Sequence, residues 1–152
     1  MTATAAARAT RTKGSAQGKG LVIERVFTKQ GVHPYDEVEW DRRDVVQTNW
    51  RTGETVFEQR GVEFPSSWSV NASTIVTTKY FRGALGSPQR EDSLRTLIDR
   101  VVRSYAKAGR DYAYFASDAD AEVFEHELTW MLLHQYFSFN SPVWFNVGTP
   151  SP

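Results

Sequence analysis

Ser117-Asp118-Ala119-Asp120-Ala121-Glu122-Val123-Phe124-Glu125-His126-Glu127-Leu128-Thr129-Trp130-Met131-Leu132-Leu133-His134-Gln135-Tyr136 is the stretch whose reading decides the fold. Ser117 with Asp120 three residues later is a variant of the capping box, and the spacing predicts a helix from there to about Tyr136. Ala121, Phe124, Leu128, Met131 and Leu132 repeat at helical spacing and define one buried face. Trp130, Leu133 and Phe137 add apolar surface on another side. A helix apolar over so much of its circumference is buried on several sides. The expectation is a larger body packed around it, with exposed apolar surface at Trp130, Leu133 and Phe137 when that body is missing.

Upstream, Leu94, Leu97, Ile98, Val101, Val102 and Tyr105 recur at helical spacing. Ser87 is the expected cap, Pro88 the first helical residue and Gly109 the end, with Glu91 and Asp92 early, where the helix dipole favours anions. A first helix is expected from Ser69 or Asn71 through Lys79, with Gly83 just past its end. Its core, Ser73-Thr74-Ile75-Val76-Thr77-Thr78, is β-branched, so a strand is the competing reading.

The first half reads as extended. Leu21-Val22-Ile23-Glu24-Arg25-Val26-Phe27 is a β-branched run and predicts a strand broken by Gly31 and Pro34. Val38 to Val46 and Thr55 to Arg60 flank Arg51-Thr52-Gly53-Glu54, which predicts a β-hairpin. Trp40, Val56 and Phe57 are taken as its apolar set, on a sheet wet on one side. Phe64-Pro65 closes the unit, because the residue before proline prefers an extended backbone. The fold class is therefore α+β: strands and a hairpin, then three helices. Residues 1–20, rich in Ala, Thr and Gly with Arg8, Arg11, Lys13 and Lys19, have almost nothing to bury. They are expected to form a disordered tail, and residues 21–152 the domain.

Composition narrows the function. An apolar fraction of 40% is enough for a real core. Eighteen basic and eighteen acidic residues cancel, which argues against a general nucleic-acid binder or an anionic membrane surface. No cysteine is present, so the chain has no disulfide, thiolate metal site or thiol chemistry of its own. No run reaches the roughly 20 apolar residues of a membrane span, and no secretory signal is evident, so the cytoplasm is the expected location.

Few motifs carry chemistry. His126-Glu127 opens like the zinc-protease pattern, but Trp130 stands where the second histidine belongs. Glu122 and His126 share a helix face, with His134 two turns on, but the di-iron pattern wants Glu and His three apart. No metal site is expected. No glycine-rich phosphate loop or G-x-S-x-G elbow appears. Ser141-Pro142 is the feature that stands out: a hydroxyl beside a rigid proline inside the aromatic run Phe139-Asn140-Ser141-Pro142-Val143-Trp144-Phe145. Substrate pockets set few polar groups in an apolar lining; an ordinary turn is the competing reading. The stop at Pro152, with neither cap nor polar tail, reads as a truncation point.

The run Gly31-Val32-His33-Pro34-Tyr35-Asp36-Glu37-Val38 resembles the N-terminus of class II, vitamin B12-dependent ribonucleotide reductases. So do Arg60-Gly61-Val62-Glu63-Phe64-Pro65, Trp68-Ser69-Val70-Asn71-Ala72, Lys79-Tyr80-Phe81-Arg82-Gly83 and Phe115-Ala116-Ser117. The most specific stretch is His134-Gln135-Tyr136-Phe137-Ser138-Phe139-Asn140-Ser141-Pro142-Val143-Trp144-Phe145-Asn146-Val147-Gly148. Together they cover about residues 21–152.

The resemblance implies an enzyme that uses adenosylcobalamin to generate a cysteine thiyl radical and reduces ribonucleotides, with ribonucleoside diphosphates the expected substrate. It implies a ten-stranded α/β barrel whose first edge follows this region, and a homodimer. In the wider superfamily a Ser or Thr before Pro at this point helps hold the substrate phosphates. Ser141 matches it, with Asn140 and Thr149 weaker candidates from the same wall. Hydrogen bonding of a hydroxyl to an anionic oxygen is chemically sound. The redox and radical cysteines and most of the cobalamin site lie further along in the family, so no catalytic residue is carried over to this chain. The remaining polypeptide is its expected partner. The rival reading is a stand-alone interaction or nucleotide-sensing module without catalysis.

Overall fold

The computed structural model describes residues 20–150; the tail expected over residues 1–20 lies, but for Gly20, outside them. A short 3-10 turn at Pro34–Glu37 precedes β1 (Trp40–Thr48) and β2 (Thr55–Pro65). Four helices follow: α1 (Val70–Lys79), α2 (Leu94–Asp111), α3 (Asp118–Leu133) and the short α4 (Ser141–Asn146). The α+β class holds. The fourth helix lies within the aromatic run after Phe139, where the sequence signals predict none.

β1 and β2 form an antiparallel hairpin running from Trp40 opposite Pro65 to Thr48 opposite Thr55. The turn is closed by the Asn49 N–H on the Glu54 carbonyl at 2.7 Å. A register shift between Arg43 and Val45 leaves Asp44 out of the pairing, and its carboxylate instead accepts from the Gly61 N–H at 2.9 Å. Val45, Val62 and Phe64 go into the core. Val56 does not: it is 64% exposed, because alternation along a strand sends it to the face opposite Phe57.

Ser69 caps α1, its hydroxyl accepting from the Ala72 N–H. Helix wins over strand here although the core is β-branched. Ser73 and Thr78 return their hydroxyls to carbonyls of the preceding turn, a helical use of residues that otherwise compete with the backbone.

α2 begins six residues later than the proline suggests. Ser93 is the cap, because the chain just before it pairs with β2: the Glu63 N–H donates to the Asp92 carbonyl at 2.7 Å. Residues 87–92 are thereby kept out of the helix. At the other end α2 runs through Gly109 to Asp111. Gly109 is a packing glycine and no terminator, since a Cβ there would sit 2.3 Å from the Phe115 ring. Leu94, Leu97, Ile98, Val101 and Val102 are buried against β2 and α3.

The segment at Leu21–Phe27 is extended but is no strand. It makes one bridge, between Leu21 and Phe115. α3 provides its other hydrogen-bond acceptors: Asp120 takes the Ile23 N–H at 2.9 Å, and Glu127 takes the N–H groups of Phe27 at 3.0 Å and Thr28 at 2.9 Å. Carboxylates on a helix thus replace a neighbouring strand, leaving Leu21, Val22 and Val26 exposed. The same segment covers α3. Phe27 stacks on Trp130 with centroids 4.6 Å apart, and Leu133 is only 2% exposed. The apolar surface expected at Trp130, Leu133 and Phe137 is therefore largely filled by the chain's own residues.

Burial pushes the Glu127 carboxyl up, but the Thr28 hydroxyl and the Phe27 and Thr28 N–H groups outweigh it and hold the pKa below its ordinary 4.5. The Ser117 hydroxyl and the Ile23 N–H likewise hold Asp120 low. A folded-state pKa below the unfolded one gives stability that is whole above the unfolded value and lost as pH falls through the folded one. We expect Glu127→Gln to cost about 2 kcal/mol at pH 7, as a charged acceptor of several donors is lost. Below pH 4.5 the gap to the parent should narrow, read by urea unfolding at both pH values. Thr77 offers a converse test. It is fully buried, and its hydroxyl has no hydrogen-bond partner. Thr77→Val should raise stability by about 1 kcal/mol in the same assay.

Candidate functional site

The residues singled out from sequence gather on α4 and its flanks. Asn140 caps the helix, its side-chain oxygen accepting from the Val143 N–H at 3.4 Å. Ser141 is the first residue and Pro142 the second, where a missing N–H costs nothing. Thr149 lies past the far end, donating to the Asn146 carbonyl at 2.8 Å. Ser141 is partly buried, and its hydroxyl lies 3.1 Å from the hydroxyl of Tyr80, the residue that ends α1. Asn140 and Thr149 make local hydrogen bonds within α4 and its exit; Ser141 bonds across to another element.

α4 is held from its other end by α2. Arg100 donates to the carbonyls of Val147 at 2.7 Å and Trp144 at 3.0 Å. It is paired with Glu91 at 2.7 Å, and the two side chains are only 10% and 11% exposed. Glu91 also accepts the Arg82 N–H at 2.8 Å, just after α1. Gly148, at φ +73°, lies where a Cβ would meet the Arg100 carbonyl at 2.3 Å. No side chain fits that approach, and the positive φ suits glycine. One ion pair thus joins the loop after α1, the body of α2 and the end of α4.

A groove of about 390 Å³ opens between α1, α2, α3 and α4; Tyr80 is in its lining, and Ser141, Asn140 and Thr149 are not. Trp68, Ile75, Leu97, Leu132, Phe137 and Trp144 give it apolar walls; Tyr80, Gln135 and Ser138 are its polar members. The two indoles are fixed, Trp68 donating to the Leu133 carbonyl at 2.8 Å and Trp144 to Ser138 Oγ at 3.0 Å. A rigid apolar lining with few polar groups is the usual make-up of a ligand wall.

The metal-type residues on α3 are engaged otherwise. Arg25 places its guanidinium 3.3 Å from His126 Nδ1 and 3.6 Å from Glu122, so a fixed cation already faces both. Burial, followed by His33 and Arg25, pushes the His126 pKa down. His134 tilts against the Trp130 ring at 4.1 Å. Among the described residues no three His, Cys, Asp or Glu side chains are grouped to hold a metal ion. No helix there is long and apolar enough to cross a membrane.

Sequence reasoning misses Tyr80, Glu91 and Arg100. Tyr80 belongs to the family-like run Lys79-Tyr80-Phe81-Arg82-Gly83, but nothing local ties it to a residue 61 positions away.

Comparison with known proteins identifies the family of the chain. The sequence profile of the class II vitamin B12-dependent ribonucleotide reductases matches residues 42–91 and 87–135. The vitamin B12-dependent ribonucleotide reductase of Streptomyces coelicolor is 70% identical over 151 residues, 99% of this chain and 16% of that protein. Its counterpart from Streptomyces avermitilis is 72% identical over the same length and shares. That of Rhodopirellula baltica is 42% identical over 131 residues, 85% of this chain and 12% of the relative. The chain therefore spans about a sixth of the length of the Streptomyces relatives. With the profile covering more than half of its residues, the chain belongs to the class II, vitamin B12-dependent ribonucleotide reductase family.

Proposed function

We propose that this chain is the N-terminal segment of an adenosylcobalamin-dependent reductase that converts ribonucleoside diphosphates to deoxyribonucleotides for DNA synthesis and repair. The observation that supports the reading is identity of 70% and more to vitamin B12-dependent ribonucleotide reductases across 99% of the chain. In this reading the segment leads into the first edge of a ten-stranded α/β barrel supplied by the remaining polypeptide. That polypeptide also brings the cysteines, and the whole enzyme is a cytoplasmic homodimer. This chain contributes scaffold and part of the substrate wall.

The described residues do not suit the cofactor. His126 and His134 are packed against Arg25 and Trp130, and His33 Nδ1 accepts the Tyr35 N–H at 3.2 Å. The groove is too small for a corrin ring with its nucleotide and adenosyl arms. We assign cobalamin to the rest of the reductase and give this chain no step in its chemistry. Ser141 has a narrower role, in which its hydroxyl donates to a phosphate oxygen of the ribonucleotide. Asn140 and Thr149 flank it as lesser contacts.

Co-expression of this chain with the remaining polypeptide should give adenosylcobalamin-dependent ribonucleotide reduction. Ser141→Ala should weaken substrate affinity about tenfold, the worth of one charge-assisted hydrogen bond. A chain that neither associates nor restores activity, yet is folded and soluble alone, would move the assignment to the non-catalytic module.

A further inference from the structure

We infer that Tyr80 is a positioning residue for the Ser141 hydroxyl: its phenol donates to Ser141 Oγ, so that the serine O–H points at a phosphate oxygen of the bound ribonucleotide. The inference rests on the reading of Ser141 as a phosphate contact and adds to it the group that orients that contact.

Three observations carry it. The two hydroxyl oxygens are 3.1 Å apart, and either can be the donor. Tyr80 is fixed: its backbone N–H donates to the Val76 carbonyl at 2.9 Å at the end of α1, and its ring packs on Phe145 of α4 at 5.3 Å. Ser141 is fixed as well, since α4 is capped by Asn140 and gripped by Arg100 at its far end. Neither oxygen depends on a free loop for its place.

A hydroxyl has one proton to give and two lone pairs to offer. If the serine spends its proton on phosphate, only its lone pairs remain for Tyr80. The phenol, a stronger acid than an alcohol, is then the donor. The resulting chain, Tyr O–H to Ser Oγ and Ser O–H to phosphate, polarises in one direction and strengthens the terminal bond. Without Tyr80 the serine proton rotates among several acceptors, and part of the phosphate affinity goes into orienting it.

The test is a double-mutant cycle in the full reductase assembled from this chain and the remaining polypeptide. Ribonucleoside diphosphate affinity is measured by equilibrium dialysis without cofactor, and KM and kcat with it. Tyr80→Phe keeps the ring on Phe145, and thermal melting checks that each variant is folded. Tyr80→Phe should weaken binding about fivefold, with the loss falling on KM and not kcat. The double variant with Ser141→Ala should bind no more weakly than Ser141→Ala alone. A Ser141→Ala variant that binds like the parent overturns the phosphate reading, and this role with it. A clear Ser141 effect beside an unaffected Tyr80→Phe, or losses that multiply in the double variant, overturns the role of Tyr80 alone.

Discussion

The arrangement of the candidate site depends on the buried ion pair of Glu91 and Arg100. Each partner does more than neutralise the other. Glu91 receives an N–H from the loop after α1, and Arg100 gives two donors to carbonyls at the end of α4. A pair so little exposed is a modest source of net stability, because desolvation offsets much of the attraction. Its value is geometric. A guanidinium has five donors in a fixed plane, and here that plane sets α4 against α2 with α1 alongside. Tyr80 and Ser141 meet because both of their helices answer to the same two side chains.

The N-terminal segment is held by a different device. A short extended chain has N–H groups to satisfy and no strand beside it. Asp120 and Glu127 of α3 accept them. Burying a carboxylate is expensive unless it is fully hydrogen-bonded, and Glu127 receives two N–H groups and the Thr28 hydroxyl. The arrangement also brings Phe27 onto Trp130. A face of α3 that would otherwise face water is closed from within the chain. Among the described residues, large apolar side chains that stay exposed include Trp50 at the hairpin tip, which is 84% accessible, Val26, Val56, Val70, Tyr112 and Tyr136.

In the proposed reading this chain is a supporting and substrate-facing part. A neutral, cysteine-free chain has no thiol, yet it carries an apolar groove lined by Tyr80, whose phenol lies 3.1 Å from Ser141 Oγ. Such a pair can orient an anion by hydrogen bonding without taking part in electron transfer. In the proposed reading the radical chemistry falls to the remaining polypeptide, and positioning of the substrate is shared.

The amino-acid sequence by itself determined the elements whose signals are local. The hairpin follows from a turn between two extended runs, and α3 from Ser117 and the spacing of Ala121, Phe124, Leu128 and Leu132; for α1 the sequence offered Ser69 or Asn71 as cap with a strand as rival, and the structure selects the helix capped by Ser69. The family was legible too, in ordered runs of residues, and so was the interest of Ser141 beside Pro142. Tertiary structure decided what depends on distant partners. Ser93 displaced Ser87 as the cap of α2 because β2 needed the Asp92 carbonyl. Gly109 proved to be a contact with Phe115 and not a helix end. The apolar run at Leu21–Phe27 became a segment tied to helix carboxylates about a hundred residues away. Local propensity reports only on neighbours in sequence, whereas an unpaired N–H, a buried carboxylate or a serine hydroxyl takes whichever partner packing brings within about 3 Å.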